Sequence, residues 1–267
     1  MKKLSIYAVA LAAMLFTACG GNKSAQTAEE AQEVKSFEQE QIEELVKVDL
    51  DSLAAALGKL KKLPIVQKGE KGIQLSDQEK QVKPDYLLDP AVVEEATTLA
   101  EQYRILSALS VDKQVAALYG MPIEGYENAI AKLIADINDP SLKVLDDVNT
   151  IHETGETLYA AMNENGRINY FWQMVSTSLI EELYVMTQNT EKFITAFDDE
   201  SAANVTGRLV LLTDAVSRLA EYDIELQPVA EAIQPLFILN AISVDQLKTQ
   251  LAEAKEQIAE ARALLLK

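Results

Sequence analysis

The sequence is poor in the residues that build covalent or metal-based chemistry. Its 267 residues include one cysteine, one histidine and one tryptophan. Cys19 alone cannot form an internal disulfide, a thiolate zinc site or an iron–sulfur site. His152 lies four residues before Glu156, but a metal site needs three or four ligands and there is no second histidine, so no metal and no cofactor are expected. Glycine is scarce too, at ten residues. No alternating β-branched run bounded by turn residues marks a strand. Cations are also in short supply: 24 Lys and Arg face 42 Asp and Glu, a formal charge of −18. That balance excludes nucleic-acid binding, which depends on neutralising phosphate with cations. A chain of this length buries about 70–75% of its unfolded surface, and 48% of its residues are hydrophobic, so disorder over the whole length is excluded as well.

The longest uncharged, mostly apolar stretch stands near the start of the sequence. Lys2 and Lys3 precede Leu4 to Ala18, a stretch shorter than the roughly 20 residues that span a bilayer and proportioned like the core of a secretory leader. An ordinary cut after Ala18 would place Phe16 where a small residue is needed. Leu15-Phe16-Thr17-Ala18-Cys19 instead resembles the lipobox of bacterial lipoproteins, with Phe in place of the usual Leu. The resemblance implies a signal peptide over residues 1–18 and a lipid on Cys19, where several acyl chains give stable membrane anchoring. The alternative is a plain secreted protein that starts at Cys19, but a free thiol is a liability in an oxidising compartment. Residues 19–36 comprise the lipidated Cys and a small, polar, flexible tether. The first acid after the Cys is Glu29, so the acidic run of surface-exported lipoproteins is missing. The expected location is the cell envelope, lipid-anchored to the outer membrane and facing the periplasm.

From Phe37 the chain reads as all-α, a single domain over residues 37–267 built as an antiparallel bundle of about eight or nine helices. Helices are expected at 37–62, 90–109, 111–119, 123–137, 140–162, 167–188, 190–222 with a break near Asp198, 226–239 and 243–266. Ser36-x-x-Gln39 and Ser243-x-x-Gln246 fit capping boxes, Asp89-Pro90 and Asp139-Pro140 pair a cap with a proline at the first helical position, and Ser110 reads as a further N-cap. In the last helix, Leu247, Leu251, Ala254, Ile258, Ala261 and Leu265 form an apolar seam. It serves either bundle packing or helix-mediated dimerisation.

The segment Ile168 to Met186 is apolar around most of its circumference and should lie at the centre. Glu181 and Glu182 are its only charges, and each must reach solvent, find a partner or shift its pKa. One reading sends one Glu to water and gives the other a Tyr or Arg hydrogen bond. The sharper reading is a small ligand site with Glu181, Tyr184 and Tyr170, near Trp172.

Leu179-Ile180-Glu181-Glu182-Leu183-Tyr184, Tyr103-Arg104 and Lys113 to Tyr119 before Gly120 give residues 85–190 a likeness. This part of the chain resembles helical lipoproteins of Bacteroidota-type envelopes, to which no activity is assigned.

Other chemical motifs are incomplete. Asp136, Asn138 and Asp139 lack the central Gly and distal Glu of a calcium loop, and read as a helix end followed by a cap. Ser110-x-x-Lys113 lacks its partner motifs, and no nucleophile elbow or phosphate loop is present.

Leu63 to Pro84 is the longest stretch without helical periodicity, and loops this long are uncommon unless functional or disordered. From Lys59 to Lys83, seven Lys face three acids, so charge inverts locally. Lys61, Lys62, Lys68 and Lys71 are therefore candidate docking residues for an envelope protein or an anionic glycan. The favoured function is a non-catalytic binding or scaffolding module on a lipid tether. The alternative is a small-ligand or metal-binding periplasmic protein, less readily an enzyme, with its site at Glu181 and Tyr184.

Overall fold

The computed structural model describes residues 37–67, 72–145 and 155–267. The expected signal peptide, Cys19, the tether and the cap at Ser36 lie outside the described residues, as do Lys68, Lys71 and His152. Among the described residues the chain is all-α, with helices joined by 3-10 turns and no strand. The α-helices are α1 (Phe37–Gly58), α2 (Leu99–Leu118), α3 (Glu124–Ile137), α4 (Gly155–Glu164), α5 (Ile168–Gln188), α6 (Thr190–Phe193), α7 (Asp199–Ala220), α8 (Gln227–Ile233), α9 (Val244–Glu253) and α10 (Lys255–Leu265).

Helix α5 is the axis of the fold, as its all-round apolar pattern requires. It is buried continuously from Tyr170 to Leu183 and packs against α2, α4, α7, α8 and α10. The neighbours take two directions. Along α1 and α7, Lys61 meets Glu200 while Asp49 meets Arg218, so the two helices are antiparallel. Helices α2 and α5 run the same way, with Arg104 beside Gln173 and Asp112 beside Glu181. Two intervening helices separate them in sequence, so no short loop forces them to be antiparallel.

Local chemistry explains most boundaries. Asp198 caps α7 by accepting from the Ser201 N–H at 2.7 Å, which is the break expected there. Ser243 starts α9 by accepting from the Gln246 N–H at 3.4 Å. Asn138 closes α3 in the left-handed region at φ 50°, a conformation Asn tolerates, and Asp139 then accepts from the Ser141 N–H at 2.8 Å. Gly120 at φ 63° lets Met121 N–H reach back to Ala116 O at 2.9 Å, closing α2.

Several boundaries differ from the sequence reading, among them the helix expected over 140–162, where Pro140–Leu145 is a 3-10 turn and α4 covers Gly155–Glu164. Ser110 does not start a helix: α2 runs straight through it, and its hydroxyl donates to Leu106 O at 2.7 Å. A buried serine that bonds back one turn leaves the helical backbone bonds intact. The true start is Thr98, which accepts from Glu101 N–H at 3.2 Å while the Glu101 carboxylate accepts from Thr98 N–H at 2.8 Å. Thr98→Ala should cost about 1 kcal/mol in chemical denaturation, and no measurable loss would show that packing alone fixes this end. Residues 90–94 form a separate 3-10 turn. The long last helix also divides at Ala254, yet its whole seam from Leu247 to Leu265 is buried against the rest of the chain.

Candidate functional site

Three arginines from three different helices converge on α5: Arg104 from α2, Arg208 from α7 and Arg262 from α10. Arginine suits such positions because its planar fork satisfies several acceptors at once and is less strongly hydrated than an ammonium.

Arg262 serves Glu181. Its Nε donates to Glu181 Oε2 at 2.7 Å, its Nη2 reaches Tyr86 O at 3.4 Å and Asp112 Oδ2 at 4.0 Å, and its Cζ lies 4.1 Å from the centre of the Tyr184 ring. The ring face adds cation–π attraction. Asp112 is fully buried and accepts from Leu88 N–H at 2.7 Å through Oδ2. The two remaining carboxyl oxygens, Asp112 Oδ1 and Glu181 Oε1, have no donor, and the two acids act on each other's charge. Two neighbouring carboxyl groups shielded from water favour a proton on one of them. Burial, followed by the neighbouring Glu181 charge, pushes Asp112 well above the ordinary carboxylate range, so Asp112 holds that proton. The cluster is then Asp112–H, Glu181 carboxylate and Arg262 guanidinium, electrically neutral as a set. The Tyr126 phenol next to it is raised to about 12, by burial and then by the acids.

One residue on, about 100° round the helix, Glu182 is completely buried and its charge acts on Arg208. Arg208 Nη2 also donates to Lys61 O at 2.9 Å. Neither glutamate therefore reaches water, a departure from the reading that gave one of them to solvent. A helix packed on every side offers no exposed face.

The structure brings Glu181 and Tyr184 together through Arg262 and places the other two expected residues elsewhere. Tyr170 is eleven residues earlier, about 16 Å along the helix. Its ring stacks on Tyr103 at 4.5 Å and its hydroxyl donates to Glu225 at 3.0 Å, while Tyr103 bonds to Asp139. Trp172 is fully buried and meets Phe171 and Tyr159 edge to face at 5.2 and 6.1 Å. Sequence reasoning missed Asp112 and Arg262. The available signal for Asp112 was an acid that closes the apolar run from Ile105 to Val111.

Of the lysines read as a docking patch, Lys61 is exposed and bonded to Glu200. Lys62 borders a cavity under α1. Further along the irregular segment, Lys192 pairs with Glu79 at 2.8 Å and, with Ser76, holds that carboxyl down at about 2. Between this segment and α2–α3 lies a groove of about 350 Å³, with Ile65, Ile73, Ala117 and Leu118 along it and Gln67 and Gln114 at its edge. Among the described residues no three His, Cys, Asp or Glu side chains converge as a metal site. Neither Glu181, Asp112 nor Tyr184 borders any of the principal cavities. Comparison with protein-family models, with curated proteins and with solved structures finds no match for this chain.

Proposed function

We propose that the chain is a lipid-tethered, non-catalytic binding or scaffolding module of the cell envelope. Cys19 carries the lipid at the outer membrane, the residues up to Ser36 form the tether, and the helical body faces the periplasm. The observation that carries the non-catalytic half is the closure of the core. Its acids are spent on internal partners, with Glu181 on Arg262 and Asp112 on the Leu88 N–H, and neither lines the principal cavities among the described residues. An active site needs its acids and bases to face a space that substrate can enter. No helix among the described residues is long and apolar enough to cross a membrane, and the proposed attachment is through the lipid alone.

The docking face is the groove beside the irregular segment, and its occupant is an extended peptide segment of an envelope protein. The floor is apolar, the side-chain oxygens of Gln67 and Gln114 can accept from peptide N–H groups while their amide nitrogens donate to Lys62 O and Ser110 O, and the lining carries one cation, Lys113, and one acid, Glu127. An anionic glycan would want surplus positive charge, and Lys61 already spends its own on Glu200.

Fractionation and co-purification from cross-linked cells test both halves. Tagged wild type should sediment with membranes, and Cys19→Ala should move to the soluble fraction. Ala117→Glu changes an exposed groove residue, and it should stay in membranes while losing the co-purifying partner. Membrane-bound Cys19→Ala would sink the tether, and unchanged co-purification with Ala117→Glu would sink the groove.

A further inference from the structure

We infer that the outer face of α7 is a docking groove for a cationic amphipathic helix of a partner protein. This inference stands apart from the tether and from the peptide groove beside the irregular segment. The groove measures about 440 Å³ and is lined by Val210, Leu211, Asp214 and Ser217 of α7, by Leu53 of α1 and by Phe237 of the 3-10 turn Gln234–Ile238.

Exposed apolar surface gathers round this helix. Among the described residues eight large apolar side chains stand exposed, and six of them belong to α7 (Val210), to the residues just after it (Tyr222, Ile224) or to the stretch between α8 and α9 (Phe237, Ile238, Ile242). That stretch lies against α7, because Ala241 O accepts from the Thr206 hydroxyl at 2.8 Å, one turn before Val210. Singly exposed apolar residues are ordinary, but a group of them around one groove marks an interaction surface. One end of the groove is also acidic. Arg218 bonds to Asp49 and to Asp214 at 2.9 Å each, and the charge of Glu221, just past α7, acts on it as well. Three acids against one cation leave this end short of positive charge.

These features select the occupant. An extended peptide needs main-chain donors and acceptors from its host, and beyond Asp214, held by Arg218, the polar lining is only the hydroxyls of Thr213 and Ser217. A helix satisfies its own backbone and needs only a groove for its apolar stripe. The α7 row from Thr206 to Glu221 covers about 22 Å, the length of a helix of about 15 residues. Lysines or arginines beside that stripe meet the surplus acids, and the formal charge of −18 on the chain steers them in. A second copy of this chain brings the same excess of acid and no surplus cation.

The probe is a fluorescein-labelled peptide of about 15 residues, with leucine at i, i+3, i+4 and i+7 spacing and lysine elsewhere. It is titrated with the purified full chain and followed by anisotropy against a protein-free blank. Saturable 1:1 binding is expected, with a midpoint below about 10 μM in about 20 mM salt and at least about threefold weaker in about 300 mM salt. A scrambled peptide of the same composition should bind at least about tenfold more weakly. Phe237→Ser and Val210→Asn should each weaken binding by about fivefold or more, and Glu221→Lys by about threefold, chiefly through slower association. All three side chains are exposed, so the helical circular dichroism should not change. Val82→Ser, equally exposed but outside the lining, should bind like wild type. Equal binding of the scrambled peptide, undiminished binding by Phe237→Ser, or no saturation by about 100 μM overturns the inference. So does a chain that sediments as a dimer and becomes monomeric with Phe237→Ser, which gives the face to a second copy. Binding of Cys19→Ala to phosphatidylethanolamine–phosphatidylglycerol vesicles that Phe237→Ser abolishes overturns it too, and gives the face to a lipid surface.

Discussion

Arg262→Met should destabilise the folded chain by about 3–5 kcal/mol, the cost of leaving a buried acid without its cation. The aliphatic stem is replaced closely by methionine, so the loss is electrostatic rather than a cavity. Glu181 is 1% exposed and the Arg262 side chain 15%, so water does little to replace the pair. For a domain of this size the change corresponds to a fall in Tm of roughly 6–20 °C. The double variant Glu181→Gln/Arg262→Met removes the orphaned charge together with its partner and should recover at least about half of the loss. Urea denaturation of the four proteins in the cycle measures this directly. A single variant within about 1 kcal/mol of wild type would mean that Glu181 is neutral or solvated, and the description of the cluster would be wrong.

The second large effect is on the pH dependence of stability, and its sign is opposite to the usual acid case. Asp112 is raised in the folded state above its unfolded value of about 3.9. The folded chain therefore binds the extra proton. This contribution is full below the unfolded value and is lost as pH rises through the folded one, with a slope approaching about 1.4 kcal/mol per pH unit. The groups facing Asp112 are Glu181, Arg262, Tyr86 and Tyr126, and neither the arginine nor the phenols titrate between pH 5 and 8. Asp112→Asn is a permanent imitation of the protonated acid: its carbonyl accepts from Leu88 N–H and its amide is neutral beside Glu181. Denaturation at pH 5, 6, 7 and 8 should show the variant gaining on wild type by about 1.4 kcal/mol per unit within the window. A constant offset at all four values would exclude the proton on Asp112.

The sequence carried the local signals well. Ser243 and Asp139 were readable as caps, and a break near Asp198 was readable as well, because the interacting groups lie two or three residues apart. The seam from Leu247 to Leu265 and the central position of α5 followed from periodicity. Ser110 misled because the same hydroxyl that caps a helix can bond back within one, and burial on both sides decides which it does. The polar cluster was half legible. Two acids on an apolar helix demand partners, but Asp112 and Arg262 lie 69 and 81 residues from Glu181, and no spacing rule spans that distance. Arg262 follows the buried Ala261 in an otherwise charged helix and reads like any surface arginine.

That separation also determines when the core can close. Arg262 lies on α10, 81 residues after Glu181, and on the same helix the carbonyl of Leu265 receives the Nε of the buried Arg104 at 2.8 Å. During synthesis the amino-terminal parts of a chain are available first. Until α10 arrives, Glu181 lacks this cation and Arg104 lacks one acceptor, so the earlier helices cannot complete their native contacts around α5. Chains cut short before α10 should accordingly be open and protease-sensitive throughout. A body whose centre is locked by α10 stays pliable while the earlier helices are being made and becomes rigid only once that helix is in place.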